Sequence, residues 1–310
     1  MTSRLPVWRS LLYVPAHVQR FVDKAHERGA DCIQIDLEDS VPAAEKEFAR
    51  SCVERAAPLV RRGGADVLVR INGPLALAVR DLEAAVSPDV DGFVLPKVES
   101  ADQVRLLDEH ISEMETGRGM SVGHSRLIVL IESAAAWLNV ASISRASPRM
   151  VGLNLASEDF ALDCGIEPTA ETLLMPKQQL VFAARAAGIL PLGLIGSTAD
   201  FGDEAAFRAN VSRSREFGFT GASCIHPAQV RILNELFAPT ADEVARATRT
   251  IAALDAAERE GRGAVALDGR MIDAPVAARA RRLLARHETI TAREAHMRGN
   301  TSTTSAKVDG

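Results

Sequence analysis

Short apolar runs alternate along the chain with longer stretches of helical spacing. Eight runs stand out: LLYVP (11–15), CIQIDLED (32–39), DVLVRIN (66–72), GFVLPKV (92–98), LIVLIES (127–133), MVGLNLAS (150–157), LPLGLIG (190–196) and ASCIHP (222–227). Most are rich in Val, Ile and Leu, the composition of parallel strands covered on both faces. The intervening segments carry helical stripes with start and stop signals. HVQRFVDKAHERGA (17–30) lines up Val18, Phe21, Val22 and Ala25 and ends at Gly29. The segment 43–62 is charged on one side and stops before Gly63 and Gly64, and 176–188 opens with a proline and closes on a glycine. Eight strand–helix alternations without hairpins predict an α/β fold, a TIM (β/α)8 barrel spanning residues 1–240. The alternative, a doubly wound sheet, usually has fewer strands and often a glycine-rich first turn, and no G-x-G-x-x-G occurs here.

Beyond the eighth unit the pattern changes. A helical stretch (242–260), a polar, glycine-bearing link (261–275) and a basic helix (about 276–287) form a C-terminal helical extension, residues 241–295, able to cap the barrel's own site or a neighbour's. The polar tail 296–310 is expected to be disordered.

Composition narrows the class. Hydrophobic residues make up 47% and aromatics only 4%, so the core must rest on Ala, Val, Leu and Ile. A net charge of −5 offers no electrostatic case for nucleic acid as a partner. The four cysteines (Cys32, Cys52, Cys164, Cys224) have no C-x-x-C spacing and read as reduced thiols of a cytoplasmic protein, with Cys32 and Cys224 in the core. No apolar stretch has the length of a signal peptide or a membrane span, so neither secretion nor a membrane partner is expected.

In such barrels chemistry sits at the C-terminal ends of the strands. Six of the runs end there in polar residues: Asp36, Glu38 and Asp39; Arg70 and Asn72; Lys97; Glu132; Glu158 and Asp159; and His226. Glu132 and Asp159 come from adjacent strands and suit a hard cation such as Mg²⁺. The competing reading is an ion pair with Arg70 or Lys97. Arg70 offers a fork of donors for a carboxylate or an enolate oxygen, or a salt bridge to Glu38 or Asp39. Lys97 could form a Schiff base, and the blander reading pairs it with a carboxylate. His226 either touches substrate or shapes the eighth loop.

RSLLYVPA (9–16), DLEDSVPAAEK (36–46), VRIN (69–72), LPKVES (95–100), IES (131–133), ASEDF (156–160), IHPAQV (225–230) and LDGRMIDAP (267–275) together resemble the HpcH/HpaI aldolase and citrate lyase β-subunit family, especially its citrate-lyase-like, malyl-CoA and citramalyl-CoA lyase branch. They stand in the family's order and span the barrel and the extension. The resemblance implies a Mg²⁺-dependent carbon–carbon lyase, with Mn²⁺ as a substitute ion and coenzyme A as part of an acyl-CoA substrate. It makes Glu132 and Asp159 the metal ligands, and Arg70 a substrate-binding and catalytic residue. Glu38 and Asp39 become acidic catalytic participants, and Lys97 a substrate-binding neighbour. Asp273, in the M-I-D-x-P motif, reaches over the site, often from an adjoining subunit of a homo-oligomer, a trimer or hexamer. The implied reaction cleaves or condenses a malyl-, citramalyl- or citryl-type thioester. A malyl-CoA-type thioesterase, a CoA-independent 4-hydroxy-2-oxo acid aldolase and a non-catalytic subunit of a lyase complex are the rivals. Three departures bear on the substrate and CoA contacts. Ala16 and Ala156 stand where the family commonly has glycine, and LIGSTADF replaces a strand that often carries an Ile-Asp pair.

Overall fold

The computed structural model describes residues 5–197 and 202–305, with side chains as far as residue 299. All eight apolar runs become strands. The first half alternates β1 (Ser10–Pro15), α1 (Gln19–Ala25), β2 (Cys32–Asp36), α2 (Lys46–Val60), β3 (Asp66–Arg70), α3 (Leu75–Ala85), β4 (Gly92–Leu95) and α4 (Ala101–Gly117). The second half continues with β5 (Arg126–Ile131), α5 (Ala134–Leu138), α6 (Val140–Ile143), β6 (Met150–Leu155), α7 (Ser157–Cys164) and α8 (Leu174–Ala187). It ends with β7 (Leu190–Leu192), α9 (Glu204–Glu216), β8 (Ala222–Cys224) and α10 (Pro227–Leu236).

The strands are parallel and follow the order β7-β6-β5-β4-β3-β2-β1-β8. A parallel bridge between Leu192 and Gly221 joins the two ends, reinforced by the Gly193 N–H donating to the Gly221 carbonyl at 2.8 Å. Only glycine fits at 221, because a Cβ there would meet the Trp8 carbonyl oxygen at 1.8 Å. The chain is a closed (β/α)8 barrel.

Two apolar cores follow from the two-residue period of the strands. Trp8, Leu11, Cys32, Leu68, Val94, Ile128 and Leu130 form one cluster, which fills the barrel. Their neighbours in sequence, Leu12, Ile33, Val67, Val69, Phe93, Leu127 and Val129, pack outward in the larger cluster with helix residues such as Val22, Val53 and Leu82. The inward parity of β2 therefore runs Cys32, Gln34, Asp36, and that of β3 runs Leu68, Arg70. An apolar floor gives way to a polar rim at the C-terminal end.

The opposite rim is pinned by buried ion pairs. Arg9 Nε and Nη2 donate to the two carboxylate oxygens of Asp31 at 2.8 and 2.9 Å. Arg149, just before β6, donates through Nη1 and Nη2 to Glu115 at 2.9 and 2.7 Å. Glu115 also accepts the backbone N–H groups of Gly123 and Ser125, both at 2.7 Å.

A second unit comprises Ala238–Gly299. In it α11 (Ala241–Arg259) is followed by a hairpin of β9 (Val265–Leu267) and β10 (Arg270–Ile272), which pair antiparallel, and then by α12 (Ala274–Ser305). Leu254, Ile272 and Ala277 form its small core. The link at 261–275 is thus a hairpin. The helix continues to Ser305 through most of the tail expected to be disordered, and residues 306–310 lie outside the described residues. Polar composition does not by itself interrupt a helix, and the segment contains no proline after Pro275. Among the described residues no helix is long and apolar enough to cross a membrane.

Arg149→Met should strand the fully buried Glu115 carboxylate. The expected cost is about 3–5 kcal/mol, read as a lowered urea midpoint with an unchanged slope; a loss under ~1 kcal/mol would show that this pair does not hold the rim.

Candidate active site

Strand register brings Asp36 beside Arg70, since these residues are Cα partners at the ends of β2 and β3 on the inward parity. The pair forms a fork. Arg70 Nε donates to Asp36 Oδ1 at 2.7 Å and Nη2 to Oδ2 at 2.6 Å. Asp36 also accepts the Glu38 N–H at 3.0 Å and the Ser40 hydroxyl. Burial alone would raise its pKa, but Arg70 and these donors hold the carboxyl below its ordinary value. The guanidinium lies over the Tyr13 ring, 4.5 Å from the centroid, a cation–π contact from β1. Tyr13 is the chain's only tyrosine, and burial pushes its phenol well above the usual range.

Nη1 of Arg70 faces the other carboxylates. It lies 2.9 Å from Glu38 Oε2 and 3.4 Å from Asp39 Oδ2. Glu38 is 6% exposed. Its burial outweighs the attraction of an arginine already committed to Asp36, and Asp39 and Glu132 repel it further. Its carboxyl is pushed up to about 8. A carboxyl in that range can give or take a proton near neutrality.

Across the rim stand Glu132, Asp159 and Lys97. Glu132 follows β5 and is 5% exposed. Its Oε2 accepts the Lys97 backbone N–H at 2.9 Å and lies 3.1 Å from Lys97 Nζ. Its Oε1 is buried with no hydrogen-bond partner. Asp159, in the first turn of α7, accepts from the same Nζ. Burial raises the Glu132 carboxyl above its usual value despite Lys97. Burial works against the Lys97 charge, but Asp159 and Glu132 prevail and hold the ammonium above its ordinary value. A lysine so firmly protonated is a poor Schiff-base nucleophile. Its backbone sits at φ 53°, a left-handed conformation that is costly for a side chain with a Cβ.

These residues suit a divalent cation. Asp36, Glu38, Asp39, Glu132 and Asp159 are five carboxylates set against two cations, Arg70 and Lys97. Two of them already share one positive charge at Lys97 Nζ, and Glu132 Oε1 is a buried acceptor lacking a donor. Among the described residues no group of three His, Cys, Asp or Glu side chains forms a metal cage. Two carboxylates with water and substrate oxygens completing the shell is the arrangement Mg²⁺ takes.

The cleft beside them has a volume of about 270 Å³, with Tyr13, Arg70, Asn154, Ser157, Asp159 and Ser223 in its wall. Behind the wall is Lys177 of α8, 2% exposed. Its Nζ donates to Ser157 Oγ at 2.7 Å and to the carbonyls of Leu194, Ile195 and Gly196. Burial pushes this amine down to about 7, with Glu158 acting in the opposite sense.

Arg70, Glu38, Asp39, Lys97, Glu132 and Asp159, all singled out from the sequence, thus meet at one rim. Both readings of Arg70 as a salt-bridge partner hold, but its chief partner is Asp36. His226 caps α10, its Nδ1 accepting the Ala228 N–H at 3.2 Å. Asp273 lies in the second unit, where Oδ1 accepts the Val276 N–H at 3.2 Å at the start of α12. Cys32 and Cys224 are buried in the core. Tyr13, Ser157 and Lys177 were not anticipated. For Tyr13 the signal was its inward parity with Leu11. For Lys177 it was a place on the buried stripe of α8 with Leu180, Val181 and Ala184.

A closed parallel barrel with acids and cations converging on its C-terminal rim defines a TIM-barrel enzyme. More particularly, the chain belongs to the HpcH/HpaI aldolase/citrate lyase family, which it matches over residues 9–227, and it is a carbon–carbon lyase of that class. It is 37% identical over 291 residues to the citrate lyase subunit beta of Escherichia coli (strain K12), covering 92% of this chain and 95% of that one. It is 33% identical over 295 residues to a (3S)-malyl-CoA thioesterase of Cereibacter sphaeroides, covering 94% and 99%. Protein CitE from Mycobacterium tuberculosis, solved in complex with magnesium, acetoacetate and coenzyme A, is similar with a TM-score of 0.72 and 28% identity over 93% of this chain and all of that one.

Glu38 sets a pH dependence. Folded, it keeps its proton up to about pH 8; unfolded, only to about 4.3. The folded state therefore binds more protons across that window. The stability Glu38 contributes is fully present below about pH 4.3 and is lost as pH rises through 8. Denaturation of Glu38→Gln from pH 4 to 9 should show a shallower decline than the parent chain, and identical slopes would remove Glu38 from the account.

Proposed function

We propose that the chain is a Mg²⁺-dependent lyase that cleaves, or in reverse condenses, a β-hydroxyacyl thioester of the malyl-, citramalyl- or citryl-CoA type. The products are a 2-oxo acid and an acyl-CoA. The observation carrying this reading is the pair Glu132 and Asp159, one with an orphaned buried oxygen, at a cleft whose wall Asp159 shares with Arg70. The magnesium and coenzyme A bound by the similar CitE protein support it. Mn²⁺ would serve as a substitute ion.

Glu132 and Asp159 would hold the ion, which supplies Lewis-acid polarisation of the substrate's hydroxyl and carboxylate oxygens. Glu38 is the proton carrier. In its ionised form it accepts the β-hydroxyl proton as the C–C bond breaks and that carbon becomes the carbonyl of the 2-oxo acid. The bonding pair stays on the acyl half as an enolate, whose oxygen Arg70 Nη1 stabilises. The same proton then returns to the enolate carbon, so no other reactant is consumed. Asp36 fixes the plane of Arg70, Asp39 adjusts its field, and Lys97 binds a substrate carboxylate. Asp273 contributes over the cleft from an adjoining subunit of a trimer or hexamer.

A thioesterase is the second reading, favoured by the identity to the (3S)-malyl-CoA thioesterase along nearly the whole chain. Turnover of malyl-, citramalyl- and citryl-CoA separates the two when 2-oxo acid and free CoA are followed independently, with Mg²⁺ and with EDTA. Metal-dependent 2-oxo acid release is expected, and Glu132→Gln should lower kcat/KM by about 10³-fold. Free CoA without 2-oxo acid would make the enzyme a thioesterase. Silence with all three, together with turnover of a CoA-free 4-hydroxy-2-oxo acid, would make it an aldolase.

A further inference from the structure

Lys177 is buried beside the cleft, and among the described residues no carboxylate lies within ion-pair distance of it. All four of its partners are acceptors: three successive carbonyls, of Leu194, Ile195 and Gly196, and the Ser157 hydroxyl. An ammonium donates and cannot accept. Whenever Lys177 carries its charge, Ser157 Oγ spends a lone pair on it, and the serine's own hydrogen points elsewhere. Among the described residues that hydrogen has no protein acceptor, and Ser157 lines the cleft. In the segment behind it two N–H groups are engaged, the Ile195 N–H donating to Ser214 Oγ at 2.8 Å and the Gly196 N–H to Asn210 Oδ1 at 2.9 Å. The Ser157 hydroxyl is thus a polar group of this wall left able to donate into the cleft, two residues from Asp159.

We propose that Ser157 is a substrate-binding hydroxyl, turned toward the cleft by Lys177, which donates a hydrogen bond to an anionic oxygen of the ligand. The inference rests on the lyase reading of the same cleft. The ligand oxygen belongs to the carboxylate or oxyanion of a 2-oxo acid. Lys177 is a positioning residue: it acts through Ser157 and does not touch the ligand. The arrangement suits an anion twice over, because a hydroxyl held in one orientation does not have to reorganise on binding and the buried ammonium behind it is not paired with a carboxylate.

The test is calorimetric titration of the full chain with oxalate, a stable dianion with the planar geometry of an enolised 2-oxo acid, in Mn²⁺ and in EDTA. Ser157→Ala should weaken oxalate binding by about tenfold or more, Ser157→Thr should restore it, and far-UV circular dichroism should be unchanged in both. Lys177→Met should show a similar loss, and the double variant no more than Lys177→Met alone, because both remove one oriented donor. Affinity within about twofold of the parent in Ser157→Ala overturns the proposal. A loss in Ser157→Ala with none in Lys177→Met removes the orienting role of Lys177. If Lys177→Met does not fold, the Ala and Thr variants at 157 decide alone. Binding that is equal in EDTA and still lost in Ser157→Ala leaves Ser157 standing and overturns the metal reading, while a parent chain that binds no oxalate in either medium overturns both.

Discussion

Crowding of carboxylates at the C-terminal rim, against too few cations, is the constraint from which the site's other properties follow. Arg70 can neutralise one acid well, and it neutralises Asp36 through both arms of a fork. Glu38 is left beside an arginine whose charge is already committed, so burial decides its protonation and its carboxyl rises to about 8. Lys97 is divided between Glu132 and Asp159 and leaves Glu132 Oε1 without a donor. One imbalance thus yields both a proton carrier near neutrality and a seat for positive charge. Buried charges are costly unless paired, and a rim that retains unpaired acid is kept for binding.

The rest of the barrel supports that imbalance. At the N-terminal rim the ion pairs are saturated: Arg149 donates to both Glu115 and Asp108, Glu115 also takes two backbone N–H groups, and Arg9 encloses Asp31. Those pairs leave nothing over for a ligand. The two rims divide the work, one holding the strands and the other holding chemistry, with an apolar plug between them.

Much of this was legible along the chain. The eight strands, the order of units and the residues of the rim follow from the two-residue alternation of buried strands and from the repeated placement of polar groups at one end of each run. Asp36 stood in plain view at the end of CIQID, two residues beyond Gln34, yet its dominance over Arg70 was not readable. That depends on register, which makes residues 36 and 70 neighbours across a strand pair. The hairpin at 265–272 and the continuation of α12 were missed because a polar, glycine-bearing segment is compatible with loop, hairpin or helix end.

The sequence by itself determined the class of the protein. Its hydrophobic period dictates a parallel barrel, and its motifs supply the acids, the arginine and the lysine of the rim. Only the tertiary structure decided how those groups share charge: which carboxylate Arg70 takes, which oxygen of Glu132 goes unpaired, and that a lysine from the buried stripe of α8 lies behind Ser157. The physical reason is that strand parity is local, set by residues two apart. Pairing and protonation depend on distances between residues that are remote in sequence and on burial that exists only once the barrel has closed.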